Sequence, residues 1–341
     1  MSLDERKKII LESIIKDYVE TAEPVGSRAV VKKHGLNISA ATVRNEMADL
    51  EEMGYLEQPY TSAGRIPSQL GYRYYVDCMM QKETLSEEEI ELLQKIIRDN
   101  IHEWNEIIEK VSSFLAQATS YASFVIFPSL TLSKFKYLQI LPIEDHKALV
   151  IAVTDSGLIM HRKIEVPPNI AEGDLETIAK AFNKALGGKR LNEITRTDLM
   201  LIRDSLKRRK KIIDRVLEAV EYMLAGSKEE RIAISGTLNI LNEPEFKDLE
   251  KLKKILAILE EDVLLRNLIP EDIKKEVEIR IGTENNIEGI KEISIVVSGY
   301  HTLGQKGKIG VIGPIRMEYW KAAGTVETVG KVLEQILKGQ F

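Results

Sequence analysis

One short stretch carries residues of the types that read base edges. In Ser39–Met53, SAATVRNEMADLEEM, the apolar residues Val43, Met47 and Leu50 recur at steps of four and three and share one face of a helix. At ~100° per residue, Ala41, Asn45 and Ala48 point the opposite way, flanked by Thr42 and Arg44. A solvated helix face usually carries long charged side chains. Small residues instead permit close approach to a duplex, where Arg pairs with guanine, Asn with adenine and methyl groups with thymine. An ordinary amphipathic helix is the competing reading, and the flanking chain decides between the two.

Those side chains need elements to hold them. Ser39 can cap the helix, and Gly54 can end it in a left-handed turn. Upstream, Asp4–Glu20 reads as a helix, with Ile10, Ile14 and Tyr18 in one row and Leu11, Ile15 and Val19 in the next. TAEPVG breaks it; Ser27 can cap a second helix, Arg28–His34, which Gly35 closes. Two helices in succession across a short turn make a helix-turn-helix pattern on a three-helix core. After Gly54, Tyr55–Tyr60 reads as extended, Thr61–Gly64 as a small polar turn and Arg65–Pro67 as a return strand, which together form a wing. Its tip of small residues, with Ser62 and Gly64 followed by Arg65, suits a phosphate backbone or a minor groove. Ser68 caps a helix over Gln69–Met80, whose tyrosines read as core and whose Cys78 reads as a small buried residue.

Charge argues against this reading and has to be outweighed by motif geometry. The 341-residue chain is 44% apolar and 30% charged with a net charge of −5. Its first 80 residues hold ten Lys plus Arg against twelve Asp plus Glu. Positive charge for nucleic acid must therefore be local, from Arg28, Lys32, Lys33, Arg44, Arg65 and Arg73. The length predicts two or three domains. No apolar run reaches the ~18 residues of a membrane span, MSLDERKKII is not a secretory leader, and the single cysteine allows no internal disulfide, so a cytoplasmic protein is expected.

Beyond a linker at 81–85, Ser86 and Glu89 form a capping-box signature ahead of one long helix, or two broken near Asn100. Strands are expected at 121–130 and 138–166, with TDSG as a hairpin turn, and the charged stretch 171–226 reads as helical. The basic run Lys207–Lys211 reads as a solvated face rather than a second nucleic-acid site. Further strands are expected at 231–240, 277–282, 293–300 and 308–315, a helix at Asp248–Glu261, a polar loop around His301–Lys306 and a last helix with Val326, Val329, Leu333 and Ile336 inward. The pattern is α+β, with the charged helical block as a candidate insertion.

Enzyme signatures are lacking. There is no phosphate-loop motif, no nucleophile elbow, and the five histidines do not pair at metal-ligand spacing. His301 is the one catalytic candidate.

The stretch SAATVRNEMADLEEMGYLEQPYTSAGRIPSQLGYRYYVD (39–77) resembles the N-terminal region of the HrcA family of bacterial heat-inducible transcription repressors. GTLNILNEPEF (236–246), IGTEN (281–285) and GVIGPIRMEY (310–319) are also similar to that family, so the resemblance spans nearly the whole chain. The family usually has His before TSAGR, where this chain has Tyr60. The resemblance implies an N-terminal winged helix-turn-helix at 1–82, a discontinuous GAF-like α+β domain at 86–134 and 227–341, and an inserted α+β dimerisation domain at 135–226. It implies a homodimer on an inverted-repeat operator in double-stranded DNA, ahead of chaperone operons, kept active by the GroEL chaperonin. No enzyme activity, cofactor, metal or membrane association is expected. The DNA-binding residues expected are Ser39, Ala41, Thr42, Arg44, Asn45, Ser62, Gly64 and Arg65, with Ser39 and the helix N-terminus able to hold a phosphate. One alternative is a regulator that senses a small molecule in its C-terminal α+β domain; another is an enzyme tethered to a nucleic-acid-binding domain.

Overall fold

The computed structural model describes residues 3–338 apart from gaps at 100–103, 130, 145, 156, 168–169, 207–209, 227–229, 274, 286–290 and 303–304. The N-terminal unit is built from α1 (Glu5–Thr21), α2 (Ser27–His34), α3 (Ala40–Glu52), a short ladder of β1 (Leu56–Glu57) with β2 (Ile66–Pro67), and α4 (Gln69–Cys78). The two apolar rows of α1 bury Ile10, Leu11, Ile14 and Ile15 completely. Asp4 caps α1, Ser39 caps α3 and Ser68 caps α4, each accepting a backbone N–H of the first turn. α3 stops where Gly54 adopts φ +81°, a left-handed conformation that glycine reaches without strain.

Two local expectations are corrected. Ser27 is the first residue of α2 rather than its cap; Gly26 occupies the cap position with no side-chain bond. Cys78 is exposed, not buried, because α4 ends there and its buried side consists of Gly71, Tyr72 and Tyr75.

After the connector 79–86, whose end is held by the Ser86–Glu89 capping box, come α5 (Glu87–Asp99), α6 (Trp104–Thr119) and β3 (Ala122–Phe127). The break expected near Asn100 lies outside the described residues. A five-stranded antiparallel sheet runs β7 (Arg231–Ser235), β3, β10 (Gln305–Pro314), β9 (Ile293–Thr302), β8 (Glu278–Ile281). Its alternating residues pack two ways. Val125, Val296, Tyr300 and Val311 share a core with α5, α6 and α12 (Tyr319–Lys338). Phe124, Ile126, Ile295 and Val297 pack against α10 (Leu249–Glu260) and α11 (Asp262–Leu268). The strand expected at 231–240 stops at Ser235, where Gly236 turns left-handed into a 3₁₀ segment, Thr237–Asn242. His301 belongs to β9 and not to a loop.

Between β3 and β7, which pair directly, the chain forms a second antiparallel sheet, β4 (Phe135–Glu144), β5 (Lys147–Thr154) and β6 (Ile159–Glu165), then α7 (Glu172–Leu186), α8 (Arg196–Ser205) and α9 (Lys210–Gly226). These elements have a core of their own, with Leu138, Ile140, Val150 and Ala152 facing Phe182, Ile213 and Val216. Among the described residues nothing covers the opposite sheet face. Tyr137, Val153 and Ile159 align across it in one row, and Leu141, Leu149 and Lys163 in another. Tyr137, Leu141 and Ile159 are exposed there. Of the basic run at 207–211, residues 207–209 lie outside the described residues. The whole is α+β.

The N-terminal unit shares one continuous core with the five-stranded sheet rather than standing apart from it. Tyr72 meets Tyr319 at 5.7 Å between ring centroids, and Tyr75 meets Trp320 edge-on at 6.1 Å. Arg316 donates to the Val19 carbonyl at the end of α1 (2.6 Å) and pairs with Glu243 and Glu245 at 2.6 and 2.7 Å. Arg73 donates to the Ile279 carbonyl and pairs with Glu284, and Gln69 donates to the Ile281 carbonyl at 2.8 Å.

Candidate nucleic-acid interface

α3 turns one face inward and one outward, and its own sequence fixes which. Val43, Met47 and Leu50 are buried against α1 and α2, while Ala41, Arg44 and Asn45 are exposed and Thr42 is half-buried. Lys7 of α1 pins the helix from its flank, bonding Glu46 at 2.6 Å and Asp49 at 3.0 Å, and these carboxylates raise the lysine's pKa. α2 is pinned in turn by His34 Nε2 and Lys33, both on the buried Asp17 carboxylate, at 3.0 and 2.8 Å.

The hairpin loop approaches the outward face of α3. Between them runs a groove of about 630 Å³ lined by Arg44, Asn45 and Ala48 on one side and Thr61–Arg65 on the other. Five of the residues expected from sequence meet here: Arg44, Asn45, Ser62, Gly64 and Arg65. Ser39, Ala41 and Thr42 lie on the first turn of α3, outside the groove lining. The hydroxyls of Ser39 and Thr42 stand 2.9 Å apart, and Ser39 Oγ accepts the Thr42 N–H at 3.1 Å, so both are engaged in the cap.

Gly64 and Arg65 do structural work in the hairpin. Val25 and Arg65 exchange backbone hydrogen bonds at 2.9 Å each way, which ties the hairpin base to the segment before α2. A Cβ on Gly64 would collide with the Val25 backbone, so only glycine fits. The Arg65 guanidinium, 18% exposed, lies on Glu51 at the end of α3, with Nη2 2.7 Å from the carboxylate, rather than projecting from the tip.

Ser27 and Gln58 also line the groove, and sequence reasoning did not single them out. Gln58 Nε2 donates to the Thr61 and Ala63 carbonyls at 3.1 Å each and shapes the turn. A glutamine ahead of a tight polar turn was the available signal. Ser27 gave none beyond its resemblance to a cap.

Of the six cations offered by sequence, Arg28, Lys32 and Arg44 are exposed and form no ion pair among the described residues. Lys33 is held by Asp17 and Glu20, Arg65 by Glu51, and Arg73 faces the sheet. The free positive charge of the unit is therefore on α2 and the outward face of α3. Among the described residues no helix is long and apolar enough to cross a membrane, and no cluster of three His, Cys, Asp or Glu is placed to hold a metal.

A family profile described as "HrcA protein C terminal domain" matches residues 105–323. The "Heat-inducible transcription repressor HrcA" of Pelotomaculum thermopropionicum is 45% identical over 99% of this chain and 98% of its own length. The same-named protein of Carboxydothermus hydrogenoformans is 43% identical over 98% of each chain. A solved structure described as a hypothetical protein superposes with a TM-score of 0.70 at 22% identity over 100% of both chains, a likeness of fold. The continuous match from end to end, in relatives that share one name, establishes that this chain belongs to the HrcA family of heat-inducible transcription repressors.

Proposed function

We propose that the chain is a sequence-specific DNA-binding repressor of chaperone operons, acting without catalysis in the cytoplasm. The N-terminal unit is read as a winged helix-turn-helix, with α3 as recognition helix and the β1–β2 hairpin as wing. The observation that carries this reading is the state of Arg44 and Asn45. Both are exposed on the face of α3 opposite its buried stripe, and Arg44 forms no ion pair among the described residues. Ala41 and Ala48 keep that face low, so the duplex can approach; Arg44 and Asn45 then supply the donors that read guanine and adenine. Thr42 contributes its methyl group. Ser39 and the N–H groups of the first turn face a phosphate, and Ser62, Gly64 and Arg65 bring the hairpin to the backbone or minor groove.

An inverted-repeat operator calls for a two-fold dimer. Dimerisation through residues 135–226 is supported by the outer β4–β6 face, where Tyr137, Leu141 and Ile159 are exposed large apolar side chains on one sheet surface. The five-stranded sheet with helices on both faces serves as the GAF-like core. Relief on heating and maintenance by the GroEL chaperonin complete this reading, as the family resemblance implies.

The reading is tested by fluorescence anisotropy on an inverted-repeat duplex from a chaperone promoter. Arg44→Ala and Asn45→Ala are each expected to lose roughly 1–3 kcal/mol of binding and to relax specificity at particular base pairs. Unchanged operator affinity in both variants would remove α3 as the reading helix.

A further inference from the structure

Among the described residues no strand pairs with part of one edge of the five-stranded sheet. β8 pairs with β9 between Glu278–Val297 and Ile281–Ser294, but β9 runs on to Thr302. Past Val297 the edge opens into a cavity of about 440 Å³, walled by α12 and by the segment that precedes β8. That volume falls in the range of small-molecule sites. Gly299, Gly307 and Gly330 are among its lining residues.

Four lysines and four glutamates share this wall, and they are not all paired with one another. Three of its glutamates are engaged, Glu327 by Lys82 and Lys331, Glu276 by Lys331 at 3.9 Å, and Glu334 by the His301 N–H at 2.9 Å, while Glu271 forms no ion pair among the described residues. Lys308 is different. It is half-buried, its ammonium donates to the Pro270 carbonyl at 2.7 Å, and it forms no ion pair among the described residues. Burial pushes its pKa down, while Glu230, Glu271 and Asp272 act on it only from a distance. Lys275 and Lys306 stand exposed around the same cavity, also without an ion pair among the described residues. A poorly solvated cation beside an open cavity is stabilised by an anion that enters.

We propose that this cavity binds a small anionic ligand, a carboxylate or phosphate of metabolite size, with Lys308 as its principal counter-charge. Occupancy reaches the N-terminal unit through shared walls. Lys275 and Glu276 also line a second cleft, of about 640 Å³, between α4 and β8. Glu327, in the wall of the first cavity, holds Lys82 in the connector that follows α4. An anion that draws Lys275 or rearranges Glu276 and Glu327 therefore bears on how α4 is seated. This coupling rests on the DNA-binding reading; the site itself does not.

Isothermal titration calorimetry on the full chain, without DNA and at constant ionic strength set with chloride, tests the site, and operator affinity measured with and without the anion tests the coupling. Inorganic phosphate and citrate are the probes. Saturable 1:1 binding of one of them, with Kd below ~1 mM, is expected. Phosphate alone binding identifies a phosphoryl ligand; citrate alone identifies a carboxylate. Lys308→Met, which keeps the aliphatic stem, should weaken it by ~10-fold or more through loss of a charge-assisted bond. Gly299→Val, which fills the cavity and leaves every charge in place, should abolish it, and exposed Lys184→Met should change nothing. Saturable binding of neither anion up to about 10 mM, or equal affinity in Lys308→Met, would overturn the site. Binding that leaves operator affinity unchanged would overturn the coupling alone.

Discussion

Arg44, on α3 of the N-terminal unit, and Arg316, which docks on α1 of that unit, are used differently. Arg44 stands exposed on α3 with no ion pair among the described residues. Arg316, 12% exposed, fills its guanidinium with the Val19 carbonyl and the Glu243 and Glu245 carboxylates. Arg73 follows Arg316, and Arg65 lies between the extremes with one carboxylate partner. A cation whose donors are satisfied within the chain holds two elements together and has little left for a partner. One that is free adds little to folding but keeps its full charge for a phosphate or a base.

The largest effect expected from this contrast is on stability. Arg316→Met leaves two half-buried carboxylates without their counter-charge and should cost about 2–4 kcal/mol in urea unfolding. The deficit carries a pH signature. Burial raises the pKa of Glu243 above 4.5 even with Arg316 in place. A group with a raised folded pKa contributes stability that is fully present below its unfolded value and lost as pH rises through the folded one. The variant should therefore recover stability as the pH is lowered towards 4.5, and a deficit that is flat with pH would mean that packing dominates.

Arg44→Ala should invert the pattern. Its unfolding free energy should stay within about 0.5 kcal/mol of the parent while operator binding falls by roughly 1–3 kcal/mol. A large loss of stability would mean that Arg44 belongs to the fold after all. The intermediate case is smaller. Glu51→Gln removes the carboxylate that holds Arg65, at a stability cost of up to about 1 kcal/mol. If the released guanidinium then meets a phosphate, the slope of log affinity against log salt should steepen by about 1. An unchanged slope would leave Arg65 as a hairpin strut.

The smallest effect lies far from both faces. Asp198 accepts from Lys189 Nζ at 2.7 Å and from the Thr195 N–H at 2.9 Å, which lowers its pKa from 3.8 to about 2. Its contribution is therefore present above pH 3.8 and lost as the pH falls towards 2. Asp198→Asn should flatten the acid limb of unfolding for residues 135–226 and leave operator binding at neutral pH untouched.

Local patterns in the chain were legible where a period or a cap decides the outcome. The buried stripe of α3, the caps at Ser39 and Ser68, and the capping box at Ser86 all follow from spacings of three or four residues. Cys78 was misjudged because periodicity does not show where a helix runs out. His301 was placed in a loop because polar residues at a hairpin end look the same paired or unpaired. What could not be read was partnership across the chain. Glu51 meets Arg65 across fourteen positions, Gln69 meets Ile281 across 212, and Val19 meets Arg316 across 297. No periodicity reports such pairs, and they decide which arginines remain free.

The central claim is that the free face of α3 reads sequence. The most direct measurement is a salt-titrated binding assay of the full chain on an inverted-repeat duplex from a chaperone promoter and on a scrambled duplex, with and without chaperonin. A preference of ~10³-fold or more for the inverted repeat is expected, with a salt slope that counts the phosphates contacted. Equal weak binding to both duplexes, chaperonin present or absent, would contradict the account.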